Sequence, residues 1–521
     1  MPAAVRQLRL GPGETPARVV YLSVGVRYDG IMSDYARHEH HDFLGASRQA
    51  LADPPLQAAL VRLTSTLMAG NRRGYANLAD SDKLRDHAKR IKEHALAHLD
   101  QYLEQLEASV TRLGGHVHWA ATAEEARQTV VDIARRAGCK RAVKSKSMTS
   151  EEVHLNPALE AAGVEVTETD FGEFIIQLAG ERPSHLVAPA VHHTRESIAR
   201  ILSEHTGRRL PDDARALALT GRRILREKFR AADLGISGAN FAVAETGTIV
   251  LVTNEGNGRL TTTCPRVHVA LMGIEKVIPR LIDLPVFLKL LARGATGQTL
   301  SVYTTILTGP RRPGELDGPE ALHLVLLDNG RSKVLATPFR ESLQCIRCGA
   351  CLNACPVYRR IGGHAYGGVY AGPIGSILTP LYDSLSANPE LPHASSLCGA
   401  CLAACPVKIN IPHMLIGLRE LQHQKTHDSP RKGDGTSRIT GPVPFSGRRR
   451  AEELAYWLWK EVLRRPWLYR LAMRAARLVL RPLARDGWLR RLPGPGGGWT
   501  EVRDFPAPAA RSFRERWKEL T

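Results

Sequence analysis

The sequence lacks the long apolar segments that mark membrane-spanning and secreted chains. No uninterrupted run of roughly 18 apolar residues occurs, so we expect no transmembrane helix. The N-terminus has no basic start followed by an apolar core, so we expect no signal peptide. Aromatic residues make up only 6% of the chain, which leaves most core packing to aliphatic side chains. These features favour a cytoplasmic protein, with peripheral contact to the inner face of the membrane as the one membrane role left open.

Acidic residues are scarce relative to basic ones, and the imbalance is uneven. There are 71 Lys and Arg residues against 52 Asp and Glu residues, a net charge of +19. Residues 441–521 alone hold 18 basic and 8 acidic side chains, and six of the seven tryptophans follow residue 456. Trp mixed with Arg is typical of interfacial helices, but we favour a tail that packs onto the cysteine-bearing domain of the same chain or onto a partner subunit. No recognition helix or aromatic-interleaved basic sheet is evident, so we expect no nucleic-acid partner.

Cysteines are few and concentrated in one segment. Of the nine, seven fall between Cys345 and Cys405, whereas Cys139 and Cys264 are isolated. A small secreted scaffold spreads its cysteines along the chain, and this pattern excludes that class. Clustered thiols instead indicate metal ligation in a reducing compartment.

The clustered cysteines form two related motifs. The first reads C-x2-C-x2-C-x3-C-P and begins at Cys345, and the second ends in the same way at Cys405 and Pro406 but lacks the first cysteine. Ser395 stands at that missing position. Structural zinc usually takes two separated ligand pairs and fits this spacing poorly. Bacterial two-cluster ferredoxins use the spacing, and the fourth cysteine of each run binds the other cluster.

The motifs therefore predict two iron–sulfur clusters of the 4Fe-4S type and a role in electron transfer. The second cluster lacks a fourth cysteine ligand. It therefore holds either three irons, or a fourth iron bound by Ser395, water or a nearby residue, or an exposed iron that binds a group of the substrate or of a partner. The predicted ligands are Cys345, Cys348, Cys351 and Cys405 for the first cluster, and Cys355, Cys398 and Cys401 for the second.

Periodicity predicts an α/β region ahead of the cysteines. A helical apolar stripe runs over residues 82–110, and strands then alternate with helices, which is typical of a parallel sheet. A chain of 521 residues is also long enough for two or more domains. Strands are predicted at 117–120, 141–144, 164–169, 185–188, 241–245, 249–253, 267–272 and 322–327, and helices at 122–137, 151–162, 373–384 and 451–485.

Three polar residues are candidates for a substrate site. Lys146 lies in a loop between a strand and a helix, where α/β folds bind anions. Arg259 ends a Gly-rich turn and has the geometry to pair a carboxylate. Glu245 invites analogy with the glutamate nucleophile of some CoA-transferases, an analogy of fold alone. The pair His192 and His193 has the chemistry of metal ligands, but polar residues at a helix start are the better explanation.

Several long segments resemble the lactate utilisation protein B family. They are residues 144–148 (KSKSM), 238–247 (GANFAVAETG), 253–259 (TNEGNGR), 265–276 (PRVHVALMGIEK) and 397–401 (LCGAC). The resemblance runs from about Asp42 into the C-terminal tail. It implies an α/β LUD domain similar to CoA-transferases and sugar-phosphate isomerases, followed by an α-helical two-cluster ferredoxin domain and a helical basic C-terminal region.

The same resemblance implies a function and partners. The family's iron–sulfur subunit takes part in oxidation of L-lactate to pyruvate, beside a cysteine-rich redox subunit and a short LUD-domain subunit. An acyl- or CoA-transferring enzyme with structural clusters is the alternative. The expected parts are an N-terminal extension at 1–45, the lead-in and LUD domain at 46–335, the ferredoxin-type domain at 336–425, a linker at 426–450 and the basic region at 451–521.

The first 41 residues have no counterpart in that family. Pro and Gly punctuate them, and residues 37–41 form a polar, His-rich run that is better explained as a solvated tail than as a metal site. We expect residues 1–31 to be dispensable, with Met32 as an alternative start.

Overall fold

A computed structural model describes residues 41–427, 449–492, 497, 500 and 504–520. It divides into two compact units, one up to residue 429 and the other from residue 430. The predictions for the N-terminal extension, its alternative start and most of its His-rich run lie outside the described residues, as does most of the linker.

Four helices lead into the first unit. Asp42 and Asp53 cap the first two, since their carboxylates accept hydrogen bonds from the amides of Gly45 and Leu56 at 2.8 and 3.0 Å. The single helix predicted over residues 82–110 is wrong, because the backbone leaves the helical conformation at His98. The four helices are α1 (Phe43–Leu51), α2 (Pro54–Ala76), α3 (Ser81–Ala97) and α4 (Leu99–Arg112).

A six-stranded parallel sheet forms the centre of the first unit, as the alternating pattern predicts. The strands are β1 (His116–Ala120), β2 (Arg141–Lys144), β3 (Glu165–Glu168), β4 (Leu234–Ser237), β7 (Val267–Gly273) and β10 (Ala321–Leu327). Their order across the sheet is β1-β10-β7-β4-β2-β3. Strand β4 escapes the sequence pattern because its four residues, Leu-Gly-Ile-Ser, form too short a segment to show a clear period, and all four lie buried.

Helices cover both faces of this sheet. The flanking helices are α5 (Ala123–Arg136), α6 (Met148–Glu152), α7 (Leu155–Ala161), α8 (Phe171–Ala179), α9 (Arg195–Thr206) and α10 (Ala214–Ala231). The helix predicted over 151–162 is broken at His154, whose backbone is left-handed with φ of 50°. The strand predicted over 185–188 is wrong, because the amides of Val187 and Ala188 bond to the ring of His185 in a turn.

A smaller four-stranded sheet packs beside the first. Its strands are β5 (Phe241–Val243), β6 (Thr248–Thr253), β8 (Val277–Ile278) and β9 (Tyr303–Leu307), in the order β8-β5-β6-β9. Helix α11 (Asn257–Thr263) connects β6 of the smaller sheet to β7 of the larger one, and α12 (Leu284–Ala295) connects β8 to β9 within the smaller sheet. The turn between β5 and β6 requires Gly247: its φ is +69°, and a Cβ there would lie 2.8 Å from the backbone of Ser109.

The cysteine region is helical and shares its apolar core with the lead-in helices and part of the smaller sheet. Its helices are α13 (Arg331–Leu335), α14 (Ala350–Ala354), α15 (Tyr358–Ile361), α16 (Gly372–Tyr382), α17 (Ala400–Ala404) and α18 (Ile411–His427). The guanidinium of Arg85 on α3 donates to the carbonyls of Ala403 and Cys405 at 2.8 and 2.7 Å. The lead-in helices therefore belong structurally to the cysteine region as well as to the α/β part.

The second unit contains helices α19 (Arg449–Arg464), α20 (Pro466–Leu480) and α21 (Phe513–Leu520) and a short antiparallel pair, β11 (Trp488–Leu489) with β12 (Phe505–Pro506). Helix α20 buries none of its residues. Large apolar side chains on α19 and α20, including Trp457, Trp459 and Trp467, lie exposed. Among the described residues, no helix is both long and apolar enough to span a membrane.

Candidate iron–sulfur and substrate-side site

The two cysteine motifs adopt the same backbone conformation. Arg347 and Leu397 are both left-handed, with φ of 58° and 55°, and each is followed two residues later by a left-handed glycine. The amide of Arg347 donates to Sγ of Cys345 at 3.4 Å, and the amide of Leu397 donates to Oγ of Ser395 at 3.1 Å. Ser395 is therefore the structural counterpart of Cys345.

The seven thiols lie in two neighbouring groups. Burial raises the pKa of Cys348 first, and the thiolates of Cys405 and Cys345 raise it further. Burial also raises the pKa of Cys351, and the thiolates of Cys345, Cys348 and Cys405, followed by Cys401 of the neighbouring group, raise it further. Burial followed by Cys355 and Cys398 as neighbours raises the pKa of Cys401 to about 11. The first group is Cys345, Cys348, Cys351 and Cys405, and the second is Cys355, Cys398 and Cys401.

The surroundings of these thiols fit an iron–sulfur cofactor. All nine cysteines are free, and Cys348, Cys351 and Cys405 are buried. Backbone amides point at the sulfurs: Tyr358 donates to Cys355 at 3.5 Å and Ile409 to Cys405 at 3.4 Å. Thiolates packed this closely repel one another unless a cation neutralises them. Hydrogen bonds from backbone amides to the ligand sulfurs are a feature of iron–sulfur cluster sites.

Buried cations accumulate beside Cys345. The Nζ of Lys92 donates to the carbonyl of Glu275, and the guanidinium of Arg347 lies 3.6 Å from the carboxylate of Glu275 and 4.3 Å over the ring of Tyr370. The two terminal nitrogens of Arg347 are buried and have no hydrogen-bond partner among the described residues. This arrangement leaves excess positive charge next to the first group of thiols.

Lys276 adds to that positive charge. It is only 7% exposed, and burial, followed by repulsion from Arg347, lowers its pKa to about 7. Burial similarly lowers the pKa of Lys92 to about 8. The nearby Glu275 is itself engaged by Arg331 at 2.6 Å, and although burial alone would raise its pKa, Arg331 helps to hold it at about 2.

A second polar group lies at the carboxyl end of β2, the edge at which parallel sheets bind ligands. Nζ of Lys144 lies 2.8 Å from Oε1 of Glu168, and Nζ of Lys146 lies 3.8 Å from Oε1 of Glu173. Burial alone would lower the pKa of Lys144, but Glu168, Glu173 and Glu151 together raise it above its usual range. Burial raises the pKa of Glu173 well above its usual range, so this carboxyl retains its proton at pH values where an exposed glutamate has lost it.

One cavity of about 1240 Å³ connects these two regions. At the sheet end it is lined by Lys146 and Glu173, and at the other by the thiol-bearing residues Cys345 and Cys348. The loop of His185 forms part of its wall. A ligand held at Lys146 would therefore share a cavity with the first group of thiols.

The other candidates lie elsewhere. Glu245 is exposed in the β5–β6 turn, where its carboxylate accepts from the amide of Leu281 at 2.8 Å. Arg259 is exposed on α11. Neither lines the cavity. His192 and His193 both lie beside Glu181, at the edge of the cavity.

Sequence reasoning missed the buried charges. Glu173, Glu275 and Arg331 were not recognised as site residues, and neither was Arg347, although it stands inside the first cysteine motif. A charged residue between two predicted cluster ligands was the available signal for Arg347. No comparable local signal exists for Glu173, whose partner Lys146 is 27 positions away and reaches it only through the fold.

Comparisons with known proteins agree with this geometry. Family models match in three places: the LUD domain at residues 103–327, a 4Fe-4S dicluster domain at 341–409, and Lactate utilisation protein B, C-terminal, at 427–520. Lactate utilization protein B of Bacillus licheniformis is 44% identical over 465 residues, covering 89% of this chain and 93% of that protein. The protein of the same name from Oceanobacillus iheyensis is 44% identical over 429 residues, covering 82% and 86%.

A relative from Escherichia coli K12, called "Uncharacterized electron transport protein YkgF", is 41% identical over 478 residues and covers 92% of this chain and 96% of its own length. A parallel α/β LUD domain that shares a core with a 4Fe-4S dicluster domain defines an iron–sulfur protein of the electron-transfer class. Within that class, the chain belongs to the lactate utilisation protein B family.

Proposed function

We propose that this protein is the iron–sulfur electron-transfer subunit of a system that oxidises L-lactate to pyruvate and so permits growth on lactate. The observation that carries this proposal is the single cavity that joins the sheet-edge residue Lys146 to the thiol residues Cys345 and Cys348. The names of the relatives supply the substrate, and the dicluster match supplies the redox chemistry.

Two 4Fe-4S clusters are proposed, and when bound they supply one-electron transfer. The first would be held by the four thiols of the first group, and the second by the three thiols of the second group, with one coordination position open. The identical backbone around Cys345 and Ser395 supports the idea that the missing ligand is a substitution within an otherwise intact motif.

Lys146 is proposed as the contact for a substrate carboxylate, because it is partly exposed inside the cavity and lies at the carboxyl edge of the sheet. Glu173 beside it is suited to accept or release a proton. Glu245 and Arg259 are exposed away from the cavity, so the acyl- or CoA-transfer alternative, which relied on Glu245, is not favoured.

The finer fold assignment is also a proposal. The parallel sheet with a second, smaller sheet suits a fold similar to CoA-transferases and sugar-phosphate isomerases at 46–335. We assign 336–425 to a helical ferredoxin-type domain, 426–450 to a linker and 451–521 to a helical basic region.

The partners proposed are a cysteine-rich redox subunit and a short LUD-domain subunit, in the cytoplasm. The exposed Trp- and Arg-rich helices α19 and α20 are proposed as the surface for a partner subunit or for peripheral contact with the inner face of the membrane.

The test is anaerobic purification of the protein with its two partners, followed by EPR with and without L-lactate. We expect lactate to change a cluster signal in the complex but not in this subunit alone. Cys348→Ser should abolish that response, whereas Cys139→Ser, a change at a buried cysteine outside both motifs, should leave it intact. A complex that oxidises lactate while both cluster signals stay unchanged would refute the electron-transfer role.

A further inference from the structure

The loop between α8 and α9 places two imidazoles on one carboxylate oxygen. Gly180 ends α8 in a left-handed conformation, and Thr194 caps α9 by accepting from the amide of Ser197. The intervening loop brings Nε2 of His192 and Nε2 of His193 within 2.7 and 3.0 Å of the same atom, Oε2 of Glu181.

The hydrogen bonds around His193 are compatible with metal binding at Nε2. The hydroxyl of Ser197 lies 2.9 Å from the carbonyl of Thr194 and 3.1 Å from Nδ1 of His193. In the tautomer in which Nδ1–H donates to Ser197, Nε2 presents a lone pair toward Glu181 at 3.0 Å, the form in which an imidazole coordinates a metal ion.

The geometry of the three groups suits a metal ion. One ring nitrogen from each histidine and one carboxylate oxygen of Glu181 lie within 4.8 Å of one another, and both atom types are metal ligands. Two imidazoles and one carboxylate form a ligand set that suits zinc. The bond from His193 Nδ1 to Ser197 is the kind of outer contact that orients metal-bound histidines.

We propose that Glu181, His192 and His193 form a binding site for a divalent transition-metal ion of the zinc class. With three protein ligands the fourth position stays open, as it does in sites where zinc binds water or a substrate group. Glu181 and the neighbouring Arg182 line the mouth of the cavity that contains Lys146, so the open position lies at its rim.

The site also lies where the α/β part meets the cysteine region. The ring of His364, from the insert between the two cysteine motifs, lies 4.7 Å from that of His192, and Nε2 of His364 donates to the carbonyl of Arg182 at 2.7 Å. A metal ion here would hold the loop 181–193 in place, and with it His185, which contacts the cluster helix α14.

The experiment uses the anaerobically purified full-length protein with its iron in place. The protein is treated with chelator, exposed to Zn²⁺ and passed through a desalting column, and its zinc and iron contents are then measured. We expect the wild type to retain one zinc ion more than His193→Gln and His192→Gln, with equal iron in all three. Gln preserves a polar side chain of similar reach but is not a comparable ligand.

Two further measurements separate this site from the cysteines. Co²⁺ bound at the proposed site should show d–d absorption without thiolate-to-cobalt charge transfer. Ser197→Ala should weaken zinc binding by about 10- to 100-fold, because it removes the outer contact of His193. His205→Gln, on the same helix as Ser197 and in contact with Phe174, is the matched control and should bind zinc as the wild type does.

Equal zinc in the wild type and in both histidine variants would overturn the proposal. So would a charge-transfer band with Co²⁺, or loss of iron in step with zinc uptake, since both place the metal at the cysteines. Equal iron contents establish that the variants are folded.

Discussion

Nε2 of His185 donates a hydrogen bond of 3.0 Å to Oδ1 of Asn353. The tautomer is set by the other ring nitrogen, which accepts from the amides of Val187 and Ala188 at 3.0 and 3.2 Å. His185 comes from a loop of the α/β part, and Asn353 lies on α14 between two predicted cluster ligands. This buried hydrogen bond between His185 and Asn353 thus joins the wall of the cavity to a helix that carries a predicted cluster ligand.

His185→Ala should loosen the cluster region. The change leaves two backbone amides and a buried side-chain oxygen without partners, and we expect the free energy of unfolding to fall by about 1–3 kcal/mol. Iron release to a chelator should also become faster. Urea unfolding and iron release, both measured anaerobically, test this against His205→Ala, which removes a histidine remote from the cysteines. Equal iron release from the two variants would contradict the linking role of His185.

Ser395→Cys should complete the second cluster. Because the backbone at Ser395 matches that at Cys345, the new thiol should reach the open coordination position, and thiolate is a far better ligand for iron than a hydroxyl. We expect higher iron content, slower iron loss and a changed EPR signal. Ser386→Cys places a thiol at an exposed serine in the insert between the two motifs and should have none of these effects.

The turnover of the same Ser395→Cys variant decides whether the open position has a function. A fall in lactate-dependent turnover together with greater cluster stability would show that the open iron is used. If turnover stays at the wild-type level, the missing cysteine is a neutral substitution.

Lys276→Met should lower the reduction potential of the first cluster. A ligated cluster carries net negative charge, and buried cations near it favour the reduced, more negative state. Because the pKa of Lys276 is about 7, its removal should shift the midpoint on the order of tens of millivolts below that pH and progressively less above it. EPR-monitored redox titration measures the shift. The control is Lys140→Met, which removes an exposed lysine immediately before β2 begins. An unchanged midpoint in the Lys276 variant would show that its charge is not felt at the cluster.

Glu173→Gln should stabilise the protein relative to the wild type, and the difference in free energy of unfolding should grow as pH rises. Burial raises the pKa of Glu173 far above the ordinary value of 4.5, so the folded protein retains a proton that the unfolded chain releases. Unfolding therefore becomes easier as pH rises above about 4.5, by about 1.4 kcal/mol per pH unit for one proton, until the folded pKa is reached.

A glutamine side chain does not titrate, so the variant does not lose stability through this proton. The difference in free energy of unfolding between the variant and the wild type should therefore grow with pH. Urea unfolding at several pH values above 4.5 measures it, with Glu196→Gln, an exposed glutamate on α9, as the control. A difference from the wild type that is constant with pH would mean that Glu173 does not titrate as described.

If helices α19 and α20 contact the membrane, we expect the protein to bind anionic membranes in a salt-dependent way. Exposed Trp457 and Trp467 lie among basic side chains, and each basic residue near an anionic surface contributes about 1 kcal/mol. The protein should then float with anionic vesicles at low salt and be released at high salt. Protein that remains at the bottom of the gradient at low salt would assign this surface to a partner subunit.

Local patterns predicted much of the fold. The strands β1, β2, β3, β7 and β10 lie where apolar runs alternate with helices, and α5 falls within the helix predicted over 122–137. The errors occurred where a side chain overrides periodicity. His98 interrupts an apolar stripe that reads as continuous, and the ring of His185 folds a strand-like segment into a turn by bonding to its amides.

The sequence by itself determined which cysteines are available as ligands, because cluster motifs depend on short spacings within one chain segment. The same spacing identified Ser395 as the position at which a cysteine ligand is missing. Tertiary structure alone decided the setting of those thiols. Lys92, Glu275 and Arg347 come from distant segments and meet only when the lead-in helices pack against the cysteine region. Burial then decides their charge: Glu173 holds its proton and the pKa of Lys276 falls because the fold removes them from water, an effect that no short sequence pattern encodes.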